Sequence, residues 1–88
     1  MIRGCTAEIQ SGKHKGISLS HAFNNRAFAY ARKGQYQLAI QDFDQAIRLK
    51  PGDATMLRNR SIAKEKTGDK IGAEADLAAA RRIDPNIR

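Results

Sequence analysis

The sequence predicts an all-α fold of antiparallel helix hairpins stacked side by side, about five helices in all, and three observations predict it. Apolar residues recur at the i, i+3, i+4 and i+7 steps of an amphipathic helix, as in Phe23, Ala27, Tyr30 and in Ala39, Phe43, Ala46, Ile47. Residues 20–53 slide onto 54–87 with nine identities in 34 positions, among them Asn25/Asn59, Arg26/Arg60, Gly34/Gly68, Asp42/Asp76 and Pro51/Pro85. The same punctuation returns in each unit, with a Gly between two periodic segments and a Pro after the second.

Residues 1–19 do not make a complete unit. Residues 5–9 align with residues 43–47, so they read as the end of a preceding helix, and residues 11–18, with Gly12 and Gly16, read as a long loop. The first full unit, 20–53, holds helices at about 20–33 and 36–49; the second, 54–88, holds helices at about 54–67 and 70–83. Gly34 and Gly68 suit the left-handed residue just past a helix end, and Asp69 is placed to cap the helix that follows. Pro51 and Pro85 disfavour helical geometry at Lys50 and Asp84, so both second helices should stop there.

Composition narrows the function. A chain of 88 residues is about one small domain with one thin core, too small for a large enzyme scaffold. The lone Cys5 has no partner for a disulfide and no second thiol at metal-ligand spacing. His14 and His21 have no acid placed to orient either, and no glycine-rich phosphate loop or metal-ligand cluster is present, so neither catalysis nor a cofactor is expected. No apolar run approaches the length needed to span a bilayer. The expected compartment is cytoplasmic, or periplasmic if an upstream signal was removed.

A 34-residue period with two helices per unit resembles the tetratricopeptide repeat. The first unit fills the family's nine characteristic positions with Phe23, Ala27, Tyr30, Gly34, Tyr36, Ala39, Phe43, Ala46 and Pro51. The second gives Leu57, Ser61, Lys64, Gly68, Lys70, Ala73, Leu77, Ala80 and Pro85, departing at the two lysines. The stretches Asn24-Asn25-Arg26-Ala27 and Ala39-Ile40-Gln41-Asp42-Phe43 look like the family's bacterial branch. The resemblance implies a right-handed superhelical solenoid whose first helices line a concave face that holds a segment of another protein.

By the family's register that face carries His21, Asn25, Phe28 and Arg32 from the first unit and Arg58, Asn59, Ile62 and Lys66 from the second. Asn25 and Asn59 match the family's peptide-holding asparagine, whose amide offers a donor and an acceptor to an extended backbone. The two first helices carry Arg26, Arg32, Lys33, Arg58, Arg60, Lys64 and Lys66 against Glu65, a net +6, while the second helices are neutral. The expected ligand is therefore an acidic segment or a C-terminal carboxylate of a partner protein. The chain's overall +7 also suits a phosphate backbone, but Phe28 is the one groove aromatic for stacking a base, so nucleic acid is not favoured.

Two further expectations come from comparing the units. Arg26/Asp42 and Arg60/Asp76 recur at fixed positions, which predicts an ion pair across each hairpin, worth only about 0–1 kcal/mol if it lies on the surface. Ile40 becomes Glu74 and Ile47 becomes Arg81, so the stripe that would meet a following repeat is charged in the second unit and reads as the end of a stack. Gln37, Gln41, Asp44 and Gln45 become Ile71, Ala75, Ala78 and Ala79, an apolar face on the last helix that suits a second copy of the chain, another partner, or the continuation of a longer repeat array from which the chain is cut.

Overall fold

The computed structural model describes residues 17–87. Over them it holds four helices: α1 (Ile17–Arg32), α2 (Tyr36–Leu49), α3 (Ala54–Lys66) and α4 (Lys70–Ile83). They form two hairpins, α1 with α2 and α3 with α4; the hairpins stack mainly through α2 against α3, and α1 also touches α3. The partial helix expected at residues 5–9, with Cys5, and the part of the expected loop that holds His14 lie outside the described residues.

The first helix starts earlier than its composition suggests. The loop expected over residues 11–18 gives way to helix at Ile17, so Ser20 lies within the helix rather than at its boundary. Ser20 is completely buried; its Oγ donates to the Ala46 carbonyl of α2 at 2.7 Å and lies 3.5 Å from Met56 Sδ of α3. These contacts tie α1 to both α2 and α3 at a position inside the helix rather than at its start.

Both hairpin turns have the same chemistry. Gly34 and Gly68 take φ of +80° and +90°, which a side chain would oppose. In the first turn Gly34 N–H bonds to Ala31 O and Gln35 N–H to Tyr30 O; in the second Gly68 N–H bonds to Glu65 O and Asp69 N–H to Lys64 O. This paired pattern satisfies carbonyls that the helix end would otherwise leave open. The second helices end before proline as expected, with Lys50 N–H returning to Ala46 O and Asp84 N–H to Ala80 O.

Small residues set the spacing. Ala27 and Ala39 are completely buried where α1 meets α2, and larger groups there would hold the backbones apart. Phe43 of α2 fills the space beside them, and Ala63 of α3 completes the cluster, with Tyr30, Ala31, Tyr36, Ile40 and Ile47 packed around it. Burying one such phenylalanine contributes roughly 2–3 kcal/mol. A second cluster of Ala54, Leu57 and Ala80, with Ile47, Ala79 and Ile87 against it, joins α3 to α4 and to the residues after α4.

Candidate functional site

Cations on the first helix of each hairpin divide into two groups according to which way they face. Arg26 donates to Asp42 through Nε (2.6 Å) and Nη2 (2.7 Å), a two-pronged pair from α1 to α2. Arg60 repeats it from α3 to α4, with Nε and Nη2 each 2.7 Å from Asp76. Its Nη1 reaches Asp44 of α2 at 2.9 Å, and Lys64 adds a second cation to Asp76 at 3.2 Å. The Asp42 and Asp76 side chains are each only 7% exposed, so these pairs are more buried than the surface contacts expected from the sequence.

The local electrostatics follow from that geometry. Burial opposes the charged form of Asp76, but hydrogen bonds from Arg60 and Lys64 and their charges outweigh it, holding the carboxyl below its ordinary range. For Arg60, the hydrogen bond to Asp76, supported by Asp44, outweighs desolvation and raises its already high pKa. Arg26, Arg60 and Lys64 are thus neutralised from the hairpin's other helix. They are not available to a ligand, and the +6 counted along the two helices overstates what the face presents.

Arg32, Lys33 and Lys66 make no ion pair among the described residues, and all three are exposed. Arg32 lies one turn beyond Phe28 on α1, and Lys66 one turn beyond Ile62 on α3, so each cation shares a helix face with an apolar residue. Phe28 and Ile62 are each 47% exposed, high for residues of their size. Together they border a hollow of about 60 Å³ between the hairpins, whose remaining walls are Ala31, Tyr36, Phe43, Asn59 and Ala63.

The structure brings some expected site residues together and separates others. Phe28, Ile62 and Asn59 meet at the hollow, and Arg58 Nη2 donates to Asn59 Oδ1 at 3.2 Å. His21 and Asn25 are exposed on α1. Asn59, expected to behave like Asn25, is only 8% exposed with its oxygen engaged by Arg58, so the two amides are not equivalent. Tyr36 and Phe43 also line the hollow, although their helical spacing marked them only as packing residues. On α4, Ile71 is 85% exposed and Ala75 and Ala78 are exposed with it. Ala79 instead packs against the cluster of Ala54, Leu57 and Ala80, so it stands apart from that face.

A second, larger hollow of about 210 Å³ opens on the last hairpin between Ser61, Glu65, Lys70, Ala73, Glu74 and Leu77. Among the described residues no three of His, Cys, Asp and Glu come together as a metal site, and no helix is long and apolar enough to cross a membrane.

Comparison with known proteins agrees with the helical-hairpin fold. The tetratricopeptide repeat family model matches residues 20–53. Sperm-associated antigen 1 of Rattus norvegicus is 30% identical over 86 residues, a match that takes in 97% of this chain and 10% of that protein. The chain therefore spans about a tenth of the length of this curated relative.

Proposed function

Since the chain is a tetratricopeptide-repeat protein, of a family whose repeats mediate protein–protein interaction, we propose that it is a non-catalytic module holding an acidic segment or C-terminal carboxylate of a partner protein on the α1/α3 face. In this reading residues 54–88 form a second repeat, supported by the recurrence of the turn glycine and of the two-pronged Arg–Asp pair at the same offsets. The observation that carries the proposal is the sorting of cations. Those facing the second helices are neutralised, while Arg32 and Lys66 stand exposed beside Phe28 and Ile62. Asn25 and His21 add hydrogen-bonding capacity on the same helix, and Arg58 and Asn59 supply a fixed polar edge.

The test is titration of the 15N-labelled chain with a short peptide rich in Asp and Glu, beside its Asn/Gln counterpart. Amide shifts at residues 25–32 and 58–66 are expected with the acidic peptide only, and the affinity should fall steeply with added salt. Replacing Arg32→Glu and Lys66→Glu together should weaken binding by about tenfold or more, since two exposed attractions become repulsions. Equal response to both peptides would sink the proposal.

A second reading is favoured by one observation: Ile71 is 85% exposed beside Ala75 and Ala78, an apolar strip on α4. A second copy of the chain would cover it. Light scattering over a concentration series decides: a mass that stays monomeric removes this reading, while a dimer that Ile71→Glu dissolves supports it.

A further inference from the structure

The last helix carries a stripe that is complementary to itself when reversed. Lys70, Glu74, Leu77, Ala78 and Arg81 fall at i, i+4, i+7, i+8 and i+11, so they share one face of α4. The equivalent stripe of α2 is the one through which the first hairpin meets α3. There Ala63 completes the cluster that holds Tyr36, Ile40, Phe43 and Ile47, and Arg60 bonds to Asp44. Among the described residues α4 meets only α3. Ala78 and Arg81 are exposed, and Lys70, Glu74 and Leu77 line the open hollow of about 210 Å³.

The charges on the stripe select what can cover it. Glu74 and Arg81 make no ion pair among the described residues, and neither does Glu65 of α3, which lines the same hollow. Reversing the stripe about the point midway between Leu77 and Ala78 exchanges Glu74 with Arg81 and Leu77 with Ala78. Two α4 helices running antiparallel about a two-fold axis at that point therefore set acid against base twice, and a large apolar residue against a small one at the centre. A parallel pairing would oppose like charges instead.

We propose that a second copy of the chain covers this face, its α4 antiparallel to the first, with Arg81 of each copy entering the other's hollow between Glu74 and Glu65. The hollow is larger than the roughly 150 Å³ that accommodates benzene, which leaves room for an arginine stem, and the carboxylates at its rim accept from the guanidinium. This face shares only Ala78 with the strip of Ile71, Ala75 and Ala78, and its pairing does not depend on what the α1/α3 face holds.

Sedimentation equilibrium of the full chain, from micromolar to millimolar concentration, reads the pairing. One helix pair is a small interface, so the dimer is weak, and its Kd should rise with added salt. Glu74→Arg or Arg81→Glu alone turns both cross-contacts into repulsions and should raise Kd about tenfold or more. Mixing these two variants sets opposite charges together again at both contacts, so a mixed dimer about as tight as the native one should form. Both reversals in one chain should likewise restore the native Kd, and Ile71→Glu should have little effect.

A native chain that stays monomeric at every concentration overturns the proposal. So does a dimer that the single reversals leave intact, or one that Ile71→Glu dissolves while they do not. With the circular dichroism of each variant unchanged, a mixture that fails to associate overturns the antiparallel register and the proposal with it.

Discussion

The two hairpins are built on one frame and differ in the surface each offers to a following helix. In the first, Ala27, Ala31, Tyr36, Ala39, Ile40 and Phe43 form a seat that Ala63 of α3 closes. Thirty-four residues on, the equivalent positions are Ser61, Glu65, Lys70, Ala73, Glu74 and Leu77, and they line an open hollow of about 210 Å³. The floor stays small or apolar while the rim changes from Ala, Tyr and Ile to Glu, Lys and Glu. Hairpin formation thus depends on a few close-packed positions, and the capacity to stack depends on others that can change without disturbing them.

The strongest way to break this comparison is to exchange the rims. Ile40→Glu with Ile47→Arg places charges beside the cluster that α3 completes, where no partner is arranged for them. This should cost about 3 kcal/mol or more, read as a lowered urea midpoint. The reverse exchange, Glu74→Ile with Arg81→Ile, acts on an open surface and should leave the midpoint nearly unchanged while promoting association at high concentration. Similar losses of stability from both exchanges would show that the seats are not distinguished by being covered.

The hairpins also hold their buried aspartates differently. Arg26 reaches Asp42 with its guanidinium 5.7 Å from the centroid of Phe23 and 5.9 Å from that of Tyr30, an aromatic sandwich along α1. In the second hairpin Leu57 and Lys64 replace those rings, and Arg60 is held by Asp76 and Asp44 while Lys64 joins Asp76. One arginine is flanked by π faces, worth about 0.5–1 kcal/mol each at such sites. The other ties together α2, α3 and α4.

Asp76→Asn is therefore expected to cost about 2 kcal/mol, because it leaves Arg60 and Lys64 partly buried and short of a countercharge. For a domain of this size that is a fall in Tm of about 10 °C. Asp42→Asn should cost less, since it deprives one cation rather than two. The pH dependence has a definite sign. A carboxyl held below its ordinary value stabilises the fold above the unfolded-state pKa of about 3.9, and that contribution disappears as pH falls through the folded-state value. The native chain should lose stability on acidification in that window more steeply than Asp76→Asn does. Parallel acid limbs would remove Asp76 from the account.

Which of these features the sequence reveals depends on how local their cause is. The turns are legible because a glycine at φ near +80° and a proline after the last turn act within a few residues. The Arg–Asp pairs are legible through recurrence, but their depth is not, because burial of Asp42 and Asp76 depends on how closely α1 meets α2 and α3 meets α4. The Arg60–Asp44 bond joins one hairpin to the next, and the internal repeat offers no second example within 17–87 from which to read it. Asn59 shows the same limit at the candidate site. Its periodicity equals that of Asn25, yet α3 is covered by the first hairpin and Asn59 is buried, while Asn25 is exposed.

The smallest expected effect sharpens the comparison most cleanly, because the backbone is held constant. The residue before α2, Gln35, has φ −90° and ψ 65°; its equivalent before α4, Asp69, has φ −83° and ψ 75°. Asp69 accepts from the Gly72 amide at 2.9 Å, whereas the Gln35 side chain makes no capping bond. Asp69→Ala should thus cost about 1 kcal/mol. The converse, Gln35→Asp, should gain only about half of that, for a reason visible in the second hairpin. There the capping carboxylate occupies space that a Cβ on Gly72 would enter, and the first hairpin has Leu38 in that place. The new aspartate must swing aside to reach the Leu38 amide; Asp53, which accepts from Met56 at 3.1 Å across a side chain at that place, does so from a more extended backbone, with ψ 104°. Pairing Gln35→Asp with Leu38→Gly would test this directly. If the cap gains more in the presence of glycine, the side chain at the third helical position controls the cap; if the gain is the same, the backbone alone does.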